Sequence, residues 1–271
     1  MITAYDAAMS LINIERSGAV ATVWLDRADK RNALDAAMMR ALAEALDGLR
    51  DDGAARAIVI RGRGPAFSSG IDHTLLAELF QRSRSVPFPH LLGEIQEVFH
   101  RLERMHRPVV AVLHRACMGM ALELALACDF RIATADCVLG LPEVAFGIIP
   151  DVGGTTRLVR MIGEARAKEL IMTGKAITAA TAERYGLVHE VAADAADADR
   201  RLERLLERLT AHPPLAVGHA KQLVAASAET DRASSFRLEG IFQEVLLNQP
   251  DLAGRFPGAL AFIKKEMSSP E

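Results

Sequence analysis

Glu123 stands in the middle of MGMALELALACD (118–129), a stretch of Ala, Leu and Met that reads as a buried helix. An ionised carboxylate there is expensive to desolvate without a partner. Either the helix turns Glu123 to solvent, or the acid faces a cleft and is kept for chemistry. Glu143 follows Pro142 in a loop and precedes the apolar run VAF, and Asp151 sits in IIPDVGG (148–154), a segment built for tight turning. Each of these acids alone reads as well as a loop or turn residue. Two of them converging on one pocket would act as general acid and base on a neutral electrophile, one removing a proton while the other gives one.

A stabiliser for the developing charge is also available. The loop GRGPAFSSGID (62–72) offers backbone N–H groups around Gly70 and Ile71, and the helix that opens near Gly119 offers more. Together they could form an oxyanion hole; alone, the loop is an ordinary strand-to-helix turn. Its glycines do not match G-x-G-x-x-G, because position 67 is Phe, and no G-K-[ST] follows, so a phosphate cradle is disfavoured. The eight histidines show no HExxH or other metal-ligand spacing, and no G-x-S-x-G is present.

These residues need a frame. Segments 11–15 and 20–25 are β-rich and turn at Ser17–Gly18, which predicts a hairpin. Residues 35–50 carry helical spacing with Asp35 as N-cap and Gly53 as terminator. Strands are expected at 57–62, 109–114 and 130–134, with helices at 92–106 and 119–127 between them. From about 155 the chain reads as helical: 164–172, 178–185, 198–210, 214–228, 230–247 and 258–267. The pattern predicts an α/β fold of repeated strand–helix units with a helical tail. The acidic, Ala-rich stretch 190–199 marks the expected boundary, giving a core over 1–195 and a helical assembly region over 196–271.

Composition narrows the function. Half of the 271 residues are hydrophobic, yet only 10 Phe, 2 Tyr and 1 Trp are aromatic, a poor supply of stacking platforms for bases. With 32 basic and 35 acidic residues, neither a nucleic-acid partner nor an anionic membrane is expected. Three cysteines without a CxxC fit reduced thiols, and no signal segment is evident, so a cytoplasmic location is expected.

Four segments resemble the crotonase superfamily, the enoyl-CoA hydratase/isomerase proteins: DRADKRNAL (26–34), AFSSGID (66–72), MGMALELALACDFRIA (118–133) and LPEVAFGIIPDVGGTTRLVRMIG (141–163). The resemblance implies a spiral of ββα units with a C-terminal helical trimerisation region, assembled as a homotrimer or dimer of trimers. It implies an acyl-CoA thioester substrate with no separate cofactor and no metal. By the same resemblance the N–H groups of Ile71 and Met120 form the oxyanion hole, and Glu123 and Glu143 are the catalytic pair that adds water to a trans-2-enoyl-CoA. Arg27, Ala28, Ser69, Gly70, Asp72 and Gly119 fall at substrate or CoA contacts, and Phe262 and Lys265 match tail residues that reach the CoA. Two positions depart from the family pattern: Gly119-Met120-Ala121 replaces a glycine triplet, and Arg115 replaces a glycine upstream. Asp151 resembles an acid of the dienoyl-CoA isomerases, which leaves an isomerase using Glu143 and Asp151 as the alternative, and a non-hydratase CoA-ester binder as a third reading.

Overall fold

The computed structural model describes residues 11–268. They form two compact units that divide between His212 and Pro213. In the first, strands β1 (Ile12–Ser17) and β2 (Val20–Leu25) make the expected hairpin, and β2 then pairs in parallel with β3 (Ala57–Gly62). Strands β4 (Val109–Leu113), β6 (Phe130–Thr134) and β9 (Glu190–Ala192) continue the parallel run, giving the order β1-β2-β3-β4-β6-β9. A second, three-stranded sheet joins β5 (Ala116–Met118), β7 (Val138–Gly140) and β8 (Ala176–Thr178).

The continuous apolar runs of β3 and β4 follow from burial on both sheet faces. Successive side chains point to opposite faces of a strand. Ile58, Ile60, Val109 and Ala111 therefore enter the main core with helices α1 (Ala36–Arg50) and α3 (Phe88–Arg104), and Val59, Val110 and Val112 pack on the other side. That other side is covered by α7 (Ala195–Ala211) through Ala198 and Leu202. The sequence boundary at 190–199 therefore meets a different outcome: β9 completes the large sheet, α7 roofs it, and the first compact unit runs on to His212. Alanine and acidic residues there mark a helix N-terminus, where Asp194 accepts from the Asp197 N–H, rather than a linker.

Asp35 caps α1 as expected, accepting from Met38 N, but the helix ends at Arg50, before Gly53. Helix α2 (His73–Arg82) was not anticipated, and α3 begins at Phe88 rather than 92 because Pro89 is tolerated in a first turn. Helix α4 (Met120–Leu126) is buried along its whole length. Helix α5 (Gly154–Thr173) starts ten residues earlier than expected and kinks at Gly163, and α6 (Ala179–Arg184) follows. The second unit consists of α8 (Pro214–Ser227), α9 (Arg232–Leu247) and α10 (Leu252–Ser268). Among the described residues no helix is long and apolar enough to cross a membrane, no group of three or more side chains could hold a metal, and Cys117, Cys128 and Cys137 are free and buried.

Candidate active site

Two loops are joined side by side. The segment after β3 runs along the β4–β5 connection: Phe67 N donates to His114 O at 3.0 Å, Ser68 N to Ala116 O at 3.1 Å, and Met118 N to Ser68 O at 3.3 Å. Gly70 seals the approach. At φ +93°, a Cβ there would lie 2.4 Å from the Met118 carbonyl oxygen and 3.4 Å from Met120 N, so only glycine fits. This brings the N–H groups of Ile71 and Met120 to one place, and neither donates to any described group. Both residues line the same cavity of 580 Å³.

The three acids line it too. Helix α4 turns Glu123 inward, to 2% exposure, where its Oε1 accepts from Val152 N at 3.0 Å and Gly154 N at 2.8 Å. Gly153, the N-cap of α5, has no side chain to satisfy those donors, so Glu123 caps α5 from a neighbouring helix. Burial pushes the Glu123 carboxyl up to about 8, the two N–H groups oppose that, and Glu143 and Asp151 add to it. Glu143 sits against Gly119, where a Cβ would lie 2.9 Å from its Oε1, and its Oε2 is buried with no hydrogen-bond partner. Its carboxyl is raised by burial and by Asp151, and Asp151 is raised by burial. The arrangement is two unspent N–H donors in one cavity with a buried acid, Glu123, and a half-buried one, Glu143.

The other expected contacts divide. Ser69 is exposed at the loop edge and Gly119 opens α4. Arg27 and Asp72 are each other's partners: Arg27 Nη1 meets Asp72 at 2.6 Å and Asp35 at 3.3 Å. Asp72 also caps α2 through the Thr74 N–H and hydroxyl, which with Arg27 hold its carboxyl well below the ordinary range. Ala28 packs toward Gly64. Both Phe262 and Lys265 lie exposed on α10 of the second unit.

Several positioning residues escaped sequence reasoning. Asn32, fully buried at φ +54°, donates to the carbonyls of Arg63 (2.9 Å), Ala66 (2.9 Å) and Phe67 (3.1 Å) and accepts from Arg27 N. It holds the shape of the Ile71 loop. The signal was an Asn among turn residues, because Asn tolerates the left-handed region. The 151–154 loop is gripped from α3: Gln96 Nε2 donates to Asp151 O at 2.7 Å, and Arg157, in bidentate contact with Glu103 at 2.7 and 2.8 Å, donates to Val152 O. Asn32→Ala leaves buried carbonyls without donors, and is expected to lower stability by about 3 kcal/mol, read from urea unfolding, together with kcat/KM.

The enoyl-CoA hydratase/isomerase family model matches residues 15–268. An Arabidopsis thaliana protein named "probable enoyl-CoA hydratase 2, mitochondrial" is 35% identical over 243 residues, covering 89% of this chain and 78% of that protein. The enoyl-CoA hydratase structure of Bacillus anthracis superposes with a TM-score of 0.83 at 31% identity, covering 94% of this chain and 96% of the other. A Thermobifida fusca YX protein described as an enoyl-CoA hydratase, in complex with acetoacetyl-CoA, gives a TM-score of 0.80 at 32% identity over 88% of this chain and 95% of its own. With this match over nearly its whole length, the chain belongs to the enoyl-CoA hydratase/isomerase family, in the crotonase superfamily.

Proposed function

We propose that the protein adds water to the double bond of a trans-2-enoyl-CoA thioester. The observation that carries this reading is the pair Glu123 and Glu143 in one cavity with the unspent N–H groups of Ile71 and Met120. The thioester oxygen takes the two N–H donors. A water held between the acids bonds the β-carbon through its oxygen and gives its proton to one carboxylate. Glu143, beside Gly119 at the oxyanion end, delivers a proton to the α-carbon. Charge passes through the enolate to the oxyanion hole, and the proton taken from the water replaces the one Glu143 delivers, so both acids end as they began and one water is added. Each such donor contributes about 3–4 kcal/mol to the transition state in comparable sites. CoA arrives as part of the substrate, so no further cofactor enters. The exposed Phe236, Ile241 and Phe256 of the helical unit support assembly with further copies, as a trimer or dimer of trimers.

Asp151, lining the same cavity as Glu143, favours a second reading: proton shuttling by Glu143 and Asp151 along a conjugated dienoyl chain. Incubation with trans-2-enoyl-CoAs is expected to bleach the conjugated thioester absorbance and yield the 3-hydroxyacyl-CoA. Consumption of a 3,5-dienoyl-CoA with no hydration of 2-enoyl-CoAs replaces hydratase by isomerase.

A further inference from the structure

The cavity has one polar end and long apolar walls. Leu76, Leu79 and Phe80 of α2 form one side, and Phe88, Leu92 and Ile95 of α3 another. From Leu76 to Ser83 the α2 side runs about 10 Å at a helical rise. The rim stays apolar where it meets solvent, with Phe80 52% and Ile149 63% exposed. None of the residues lining the cavity is Lys, Arg or His, whereas three are carboxylic acids. The phosphates of CoA find no cation here, so the space belongs to the acyl group.

Size and charge then specify that group. An apolar cavity of about 150 Å³ holds one benzene, so 580 Å³ is nearly four times what a small ring fills. A four-carbon acyl group would leave most of the wall uncovered, and each added methylene that displaces water from it tightens binding about fourfold. A second carboxylate on the chain would be desolvated against the apolar walls, in a cavity that has no cation to pair with it and already carries three acids. Resting on the reading of this cavity as an acyl-thioester site, we infer that it selects apolar acyl groups of about eight carbons or more and rejects dicarboxylic ones.

Equilibrium binding of saturated thioesters tests this without any turnover, so a failed hydration assay leaves it standing on its own measurement. Butyryl-, hexanoyl-, decanoyl- and adipyl-CoA are titrated calorimetrically into the wild-type chain. Decanoyl-CoA is expected to bind at least about 50-fold tighter than butyryl-CoA, even if only half of the added methylenes count. Adipyl-CoA is expected to bind tenfold or more weaker than hexanoyl-CoA of the same length. Equal affinities for butyryl- and decanoyl-CoA, or adipyl-CoA binding as tightly as hexanoyl-CoA, overturn the inference.

Discussion

Glu143→Gln is expected to lower kcat for enoyl-CoA hydration by about 10³-fold, within the range general acid–base groups contribute. The amide keeps the size and polarity of the side chain but can neither take nor give the proton. Little in the fold rests on the missing charge, since Glu143 Oε2 has no hydrogen-bond partner, the carboxyl bonds only its own backbone N–H, and the residue lies in a short 3-10 turn, Glu143–Phe146. Thermal stability should therefore hold or rise while turnover collapses, and KM should change little because the N–H donors of Ile71 and Met120 are backbone groups. A loss of less than tenfold would remove Glu143 from the chemistry. Asp151→Asn separates the two reactions: under hydration it costs less than tenfold, whereas under dienoyl isomerisation it is as damaging as Glu143→Gln.

Glu123 was legible in the sequence for a physical reason, whereas Glu143 and Asp151 stood out only through the family resemblance. A charged residue inside an Ala/Leu helix is unusual, and the local pattern alone exposes it; α4 indeed buries Glu123 completely. The hairpin, β3, β4 and β6 were equally readable, because short apolar runs bounded by turns have few alternatives. What holds Glu123 in place was not readable. Val152 N and Gly154 N come from a loop 29 and 31 residues away, and that loop is pinned by Gln96 and by Arg157 with Glu103, partners 54 or 55 residues distant. Contacts at such separations leave no local period. Helix α2 was missed for a different reason: although Leu75, Leu76, Leu79 and Phe80 carry helical spacing, the Ser- and Pro-containing stretch from Ser83 to Pro89 makes the whole region resemble a loop. Similarly, Arg27 and Asp72 look like free charges in the sequence, yet the fold pairs them across 45 residues.

Burying Glu123 has a thermodynamic consequence that sets up the second large effect: Glu123→Gln should stabilise the protein at alkaline pH. The folded carboxyl is pushed up to about 8 from an ordinary value of 4.5. Between those limits the unfolded chain has released the proton that the folded chain retains, so the unfolded state binds fewer protons and stability falls as pH rises. The stabilising contribution is complete below 4.5 and is lost as pH climbs through 8. At about 1.4 kcal/mol per pH unit over that interval the loss is of the order of 5 kcal/mol. Glutamine does not titrate, and its Oε1 can accept the same bonds from Val152 and Gly154, so the variant escapes the loss and keeps the cap on α5. Glu143 and Asp151, also raised by burial, titrate in both proteins, so the difference between the two reports Glu123 together with its coupling to those acids. Thermal midpoints should coincide near pH 5 and separate by about 10 °C in favour of the variant at pH 8.5. Parallel pH profiles would show that the wild-type acid is already charged in the fold. If the midpoints diverge while hydration is lost, then this carboxylate is held at the expense of the fold, which is what selection for chemistry rather than packing predicts.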